Sequence, residues 1–473
     1  MRLSELIAGI DGDCYNFGEV DVTSLEFDSR CVKPGSLFIA MTGERFDGHD
    51  FIDDAARNGA VAFVTERRLK TKLPQVVVRD TRLASGRLAR TFYGTFDHMS
   101  KIGVTGTNGK TTTTFLIHSI LKAAGKQPGL IGTVYYSGKA QSKAVRTTPE
   151  SLDLFKLMHL FAGEGAQAVV MEVSSHALSL KRVEEIMFDV AVFTNLSQDH
   201  LDFHKTIDEY RSAKLHIFAL LNEAGTAVFN LDDETSEAIQ ALHLKKTMTY
   251  GVRHRGTIWG EIVQNSIDGL TVSIQYKERK YAIHSRLIGD FNIYNICAAC
   301  GVGLALGIDL ETVVHGIESL HSVRGRMERV VGNVFVDYAH TPSAIEYVLK
   351  SLRYYTNGRI IIVFGCGGDR DKDKRPKMGA LAAELADLAI VTADNPRSEA
   401  IHDIIRDIEK GISTDNHVVI ENRREAIRYA ISSMGQDDIV LIAGKGHEEY
   451  QTIGDKTIEF DDAKVVRECF EHL

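Results

Sequence analysis

Apolar positions recur along this chain in short β-branched runs, separated by stretches in which they fall at helical spacing. The amino-terminal part carries "SLFIAM", "AVAFVT" and "QVVV" as predicted strands, with one helical stretch, "FIDDAARNGA". Near Ser100 the texture changes. "KIGVTG" is a β-branched run meeting a glycine-rich turn, and "KTTTTFLIHSILKAAG" follows as a helix ending at Gly125. Strand and helix then alternate through "GLIGTV", a helix after Pro149, "AQAVVMEV", "FDVAVFTNL" and the amphipathic "TIDEYRSAKLHIFALL". That alternation predicts βαβ units and a mainly parallel sheet. Between Gly256 and His284, "TIWGEIV", "LTVSIQY" and "KYAIH" read as antiparallel strands at the sheet edge, and two helices close the segment near Leu320. From about Gly332, the runs "NVFVDYA", "RIIIVFG", "DLAIVTA", "HVVI" and "DDIVLIAG" are separated by helical stretches, the pattern of a doubly wound domain.

The expected fold is therefore α/β in three domains. A small α/β domain covers 1–99, a central domain with a mainly parallel sheet 100–327, and a doubly wound, Rossmann-like domain 328–473. The length of 473 residues fits three domains at roughly 150 each. A net charge of -9 argues against a nucleic-acid partner, which would call for a basic stripe. "MRLSELIAGIDGD" has no basic leader, and no apolar run approaches the about 18 residues of a membrane span. A cytoplasmic chain, with no membrane insertion and acting as a monomer, is expected. Cys297 and Cys300 form a C-x-x-C inside the apolar run "YNICAACGVGLAL" and read as buried small hydrophobes.

The clearest chemistry lies in "GVTGTNGKTTTT", Gly103 to Thr114. Glycines between a strand and a helix turn backbone N–H groups toward a phosphate, and the helix N-terminus adds its positive dipole. Gly106, Thr107, Asn108, Gly109, Lys110, Thr111 and Thr112 are the predicted cradle. Lys110 would reach the outer phosphates and the Thr111 hydroxyl would hold magnesium. This makes the central domain a P-loop-type ATPase domain. Glu172 ends an apolar strand in "VVMEVSSHAL", and "TNLSQDHLDFH" offers Asp199, His200, Asp202 and His204. Spacing alone leaves His200 open between a metal ligand and a hydrogen-bonded loop histidine. Lys214, on a predicted helix, reads from sequence alone as a solvated charge. Arg326 in "VRGRMERV" could stabilise phosphate charge and Asp337 in "VDYAHTP" could hold ribose hydroxyls.

Together these segments resemble the Mur ligase family, and within it the MurE type, across all three predicted domains. The resemblance implies ATP-driven amide formation on a UDP-linked muramyl precursor, with ATP and Mg2+ as cofactors. It implies that Glu172 and His200 bind a magnesium ion and that Lys214 becomes a carbamate, an oxygen ligand in place of a cation. "LIGDFNIYN" matches a segment whose asparagines, here Asn292 and Asn295, lie at the nucleotide. Read alone, Asn292 is equally a helix cap. Arg326 and Asp337 match the ATP-clamping pair, although Arg324 stands where many relatives have proline.

"EFDSRCVKPGSLFIAMTGERFDGHDFI" resembles the UDP-binding segment, with Ser29 as its uridine contact. Thr147 and Thr148 of "RTTPES" and Ser174 and Arg182 of "SSHALSLKR" match the stretches that hold the dipeptide end of UDP-N-acetylmuramoyl-L-alanyl-D-glutamate. Leu180 departs from relatives with a polar residue there. Asp394-Asn395-Pro396-Arg397 marks selection of meso-diaminopimelate over lysine, joined by Arg370, Gly444 and Glu448. Diaminopimelate carries an extra carboxylate at its far end, which a guanidinium binds bidentately, and Glu448 could pair with the distal ammonium. The alternatives are a lysine-adding enzyme, a natural-product paralogue, or a non-catalytic nucleotide-dependent binding protein. The presence of Lys110, Glu172 and Lys214 weighs against the last.

Overall fold

The computed structural model describes residues 1–43, 46–139, 141–144 and 146–471. Glu44 and Arg45 of the predicted uridine segment lie outside the described residues. Contacts group the chain into two compact units, Met1–Trp259 with Tyr294–Gly316, and Gly260–Ile293 with Ile317–Leu473.

The first unit holds two sheets. The smaller runs in the order Gly12–Tyr15, Gln75–Val78, Ala60–Thr65, Ser36–Ile39, Ser24–Glu26. Its pairs are parallel except for the antiparallel edge strand Gly12–Tyr15. The larger sheet has Ser100–Thr105 at its centre, flanked in parallel by Phe188–Phe193 and Ala168–Glu172. Leu221–Asn230, Thr247–Gly251 and the start of Ile258–Ser266 extend it on one side, and Pro128–Ile131 on the other. One continuous core joins Leu37, Ile39, Val64 and Leu88 of the amino-terminal part to Leu154, Phe155, Met171, Phe188 and Phe193. Each such buried side chain contributes roughly 1.5–3 kcal/mol.

Two expectations need correction in this unit. The amino-terminal part has a further long helix, Thr81–Tyr93, capped by Asp80, whose side chain accepts from the Leu83 N–H at 2.9 Å. Its buried face is made of Thr81, Ala84, Ser85, Gly86, Leu88 and Ala89, so small residues left almost no apolar periodicity to read. In addition, Ile258–Ser266 enters parallel to Thr247–Gly251. Antiparallel pairing holds for the hairpin Gly269–Tyr276 with Arg279–Ser285. Cys297 and Cys300 are fully buried free thiols, and burial pushes the Cys300 thiol up to about 12.

The second unit is built on a sheet ordered Glu328–Val331, Val334–Asp337, Ile439–Ala443, Ile360–Phe364, Leu388–Val391, His417–Val419. All neighbours are parallel except the antiparallel edge strand Glu328–Val331. The inner strands Ile360–Phe364, Leu388–Val391 and Ile439–Ala443 are wholly apolar, as in a parallel sheet covered by helices on both faces. Two elements unforeseen in the sequence complete it, the hairpin Tyr450–Ile453 with Lys456–Glu459 and the helix Asp462–Glu471. Arg423 and Asp462 form a fully buried ion pair at 2.7 Å beneath the sheet's loops. Arg324 ties its loop to Asp461 at 2.8 Å.

Candidate functional site

Three adjacent parallel strands of the first unit, ending at Thr105, Glu172 and Phe193, deliver their loops to one edge, where ligands of α/β sheets bind. Gly106 follows the central strand at φ 143°, and a Cβ there would lie 1.9 Å from Thr194 Oγ1. Gly109 has φ 82°, and its Cβ would meet Asn295 Oδ1 at 2.3 Å. Only glycine can make this loop. The helix Lys110–Ala123 then starts with no side chain capping its N-terminus. That leaves an electropositive helix end within a backbone cradle, as phosphate requires.

The loop is fastened from the side. The Asn108 N–H donates to Asn195 Oδ1 at 2.9 Å, the Thr107 N–H to the Asn195 carbonyl at 2.8 Å, and Thr194 Oγ1 to the Asn108 carbonyl at 2.6 Å. Lys110 Nζ donates to the carbonyls of Gly106 at 2.9 Å and Thr107 at 2.8 Å. Thr111 Oγ1 donates to Glu172 Oε2 at 3.0 Å, and Glu172 also accepts from the backbone and hydroxyl of Thr133 at 2.8 and 3.0 Å. A carboxylate and a hydroxyl this close are hard oxygen donors of the kind magnesium takes. Among the described residues no group of three or more His, Cys, Asp and Glu forms a cation cluster.

Lys214 overturns its reading as a solvated charge. It is 1% exposed, donates to the Gly106 carbonyl at 2.7 Å, and lies 4.4 Å from the centre of the Tyr210 ring. Burial, reinforced by Lys110, holds its ammonium well below the usual lysine range. The Tyr210 hydroxyl shares a hydrogen bond with Thr107 Oγ1 at 3.1 Å. His200 is exposed and left-handed at φ 53°, with its ring 4.8 Å from His176 and 6.2 Å from Tyr210. His204 is buried against Ser175 Oγ at 2.9 Å, a structural bond. The side chain of Asp202 lies outside the described ones.

Beside Glu172, Thr148 Oγ1 donates to the Glu172 carbonyl at 2.9 Å and accepts from the Ser174 N–H at 3.0 Å. Thr147 Oγ1 lies within hydrogen-bond distance of Thr133 Oγ1 at 3.1 Å, and Arg182 donates to the Thr148 carbonyl at 3.1 Å. The predicted dipeptide-end residues therefore gather around the strand end. Ser29 lies in a short turn capped by Asp28, with its carbonyl held by Asn58 at 2.8 Å.

The second unit builds its own site at the carboxyl ends of four neighbouring parallel strands. Asp394 to Arg397 follow one strand, and Gly444 to Glu448 follow another. Gly444 is left-handed at φ 111°, and a Cβ there would lie 2.7 Å from Asp394 Oδ2. Arg397 is itself left-handed at φ 53°, locked by its N–H to Thr452 at 3.1 Å and its carbonyl to the Gly454 N–H at 2.7 Å. Such strain in a non-glycine residue points to function. Its guanidinium donates to the Gly368 carbonyl at 2.7 Å and passes Gly367, whose Cβ would stand 2.8 Å from Arg397 Nη1 and 3.7 Å from Arg370 Cγ.

Glu448 is less open than expected. Its Oε2 accepts from Asn395 at 2.8 Å and from Lys445 at 3.0 Å, a lysine with no exposed surface. Asp337 accepts from the N–H groups of Met327 and Ala339 at 2.7 and 2.8 Å, and burial pushes its carboxyl up. Arg326 stacks over Tyr338 at 4.7 Å. Asn292 belongs to this unit and donates to the Ile288 carbonyl at 2.8 Å, whereas Asn295 accepts from Thr113 of the phosphate loop helix at 3.2 Å. The sequence reading missed Asn195, Thr133, Tyr210 and Lys445. "GKGHE" contained Lys445, but nothing in a sequence marks a lysine as buried.

A glycine-built phosphate cradle beside a buried carboxylate and a buried lysine defines a nucleotide-dependent α/β enzyme, with a second site of charged side chains. Residues 104–303 match the Mur ligase middle domain, 325–446 the Mur ligase glutamate ligase domain, and 21–93 the Mur ligase family catalytic domain. The chain belongs to the Mur ligase family. It is similar to the UDP-N-acetylmuramoyl-L-alanyl-D-glutamate--2,6-diaminopimelate ligases of Caldanaerobacter subterraneus subsp. tengcongensis, 44% identical over 99% of this chain and 98% of that one, and of Geobacillus thermodenitrificans, 45% identical over 99% of both. A solved structure of a ligase bearing that name matches with a TM-score of 0.68 and 34% identity over 95% of each chain. The MurF ligase of Thermotoga maritima, in complex with ADP, shares the fold at a TM-score of 0.66 and 22% identity, over 95% of this chain and 97% of that one.

Proposed function

We propose that this chain joins meso-diaminopimelate to the γ-carboxylate of the D-glutamate in UDP-N-acetylmuramoyl-L-alanyl-D-glutamate, at the expense of ATP, in peptidoglycan precursor synthesis in the cytoplasm. The observation that carries the reading is the Arg397 guanidinium held against Gly367 at a sheet edge, with the stem of the Arg370 side chain beside it, in a chain whose relatives of that name match end to end. A guanidinium suits the extra carboxylate that distinguishes diaminopimelate from lysine. Residues 1–99 would bind the uridine end through Ser29, 100–327 the ATP, and 328–473 the diamino acid through Arg370, Asp394, Asn395, Pro396, Arg397, Gly444 and Glu448.

In the first step the acceptor's γ-carboxylate oxygen attacks the γ-phosphorus of ATP, giving an acyl phosphate and ADP. The loop N–H groups and Lys110 hold the transferred charge. The amine of diaminopimelate then adds to the acyl carbon, and phosphate leaves as the amide forms. Thr111, Glu172, His200 and a carbamate on Lys214 would hold magnesium, which supplies charge neutralisation. Lys214 suits carbamate formation because burial favours its neutral amine, whose nitrogen lone pair adds to carbon dioxide with loss of a proton. Asn292, Asn295, Arg326 and Asp337 would complete the nucleotide site.

The test is to incubate the protein with ATP, the acceptor and diaminopimelate and to weigh the product. An acceptor heavier by one diaminopimelate minus water, with ADP and phosphate released, is expected. ATP turnover without that product would overturn the reading.

A further inference from the structure

One cluster in the first unit carries charge that its own residues do not balance. Glu150, with a side chain only 7% exposed, is the partner of three guanidiniums. Arg82, on the helix Thr81–Tyr93, reaches Oε2 at 2.9 Å. Arg182, beyond the helix Ser175–Ser179, reaches Oε1 at 2.9 Å, and Arg146 bonds the same oxygen. One carboxylate against three cations leaves two positive charges over. Burial pushes the neighbouring Asp153 carboxyl up, so it offsets less of that surplus.

A second observation points the same way. Arg182 Nε is buried without a hydrogen-bond partner, a costly state for a guanidinium N–H unless a ligand completes it. The cluster also has an opening, since Arg146 is half exposed while Arg82 and Arg182 are largely covered.

Its position selects the anion. Arg182 donates to the Thr148 carbonyl, and the Thr148 hydroxyl donates to the carbonyl of Glu172, so the guanidiniums lie beside the strand end proposed to hold the reacting phosphate. We propose that Arg146 and Arg82 join Arg182 in an anion cradle organised by Glu150, which takes a carboxylate at the peptide end of the acceptor. This rests on the acceptor assigned above. Glu150 is a positioning residue: without it three guanidiniums repel one another, and with it they face a single point. The acceptor's other anion of suitable chemistry is its diphosphate.

The experiment is calorimetric binding of acceptor to the full chain, which reads the cradle whether or not turnover occurs. Arg146→Gln, at a half-exposed position, should weaken the acceptor by about tenfold, the value of one charge-assisted pair, and leave ATP within about twofold. An acceptor whose free D-glutamate α-carboxylate is replaced by carboxamide should bind wild type about tenfold more weakly and show no further loss with Arg146→Gln. Glu150→Gln should also weaken the acceptor, with Glu150→Asp restoring part, a rescue that loss of folding would not give. Equal loss by Arg146→Gln for the carboxylate and carboxamide acceptors would overturn the assignment. So would an equal loss for UDP-N-acetylmuramoyl-L-alanine, which has the diphosphate but no glutamate. Failure of wild type to form product, with these binding differences intact, would count against the proposed activity and not against the cradle.

Discussion

Two buried lysines set the two sites apart. Lys214, in the first unit, donates to a backbone carbonyl and lies against a tyrosine ring, and its ammonium is held well below the usual lysine range. Lys445, in the second, is bonded to the carboxylate of Glu448 at 3.0 Å and faces Asn395. A buried cation without a counter-ion favours its neutral form, whereas an ion pair holds both side chains in one place. The first lysine is therefore suited to react and the second to position. The same contrast runs through the loops around them. The proposed phosphate site is built of glycine backbone and a helix end, and the proposed diamino acid site of charged side chains held by other charged side chains.

The comparison can be broken first at the phosphate loop. Lys110→Ala should lower ligation by on the order of a thousandfold or more, in line with the loss of a phosphate-clamping charge, while acceptor binding is unchanged. Single-turnover rates and calorimetry check this, and near wild-type turnover would remove Lys110 from the chemistry. Lys214→Ala should lose most activity and regain part of it on addition of formate or acetate, which restore an oxygen ligand. An untouched rate would reduce Lys214 to packing.

Stability should respond in opposite directions at the two lysines. Lys445→Met leaves Glu448 without its cation and should cost about 2 kcal/mol, since removing one partner of a buried pair exposes the other's desolvation. Lys214→Ala removes a group that is strained when charged. For a base whose folded pKa is depressed, the unfolded chain binds the extra proton, so the penalty is full at low pH and vanishes as pH rises toward the ordinary lysine value. The variant's Tm advantage without carbon dioxide should therefore shrink from pH 7 to pH 10. An advantage independent of pH would contradict the assignment of charge.

Much of this was legible in the sequence. "GVTGTNGKTTTT" announced its loop because glycines and a following helix leave few other solutions. "DNPR" announced little by itself, and its meaning came from the family pattern. The helix Thr81–Tyr93 escaped because its buried face is alanine, serine and glycine. The parallel entry of Ile258–Ser266 escaped because its partner Thr247–Gly251 lies only a short loop upstream, a separation that ordinarily makes an antiparallel hairpin. Burial was the hardest property to read. Lys214 looked like a solvated charge and Lys445 drew no notice, since only the folded chain places either against its partner.

Arg397→Ala should lower kcat/KM for diaminopimelate by about tenfold to a hundredfold, the value of roughly 1.5–3 kcal/mol for a charge-assisted pair, with KM for ATP unchanged. The most direct measurement of the central claim is the ratio of kcat/KM for meso-diaminopimelate to that for L-lysine on the wild-type enzyme, each product identified by mass. The Arg397 guanidinium held against Gly367 predicts a ratio of at least about ten in favour of diaminopimelate. Equal values would contradict the specificity and leave a diamino acid ligase that does not read the second carboxylate.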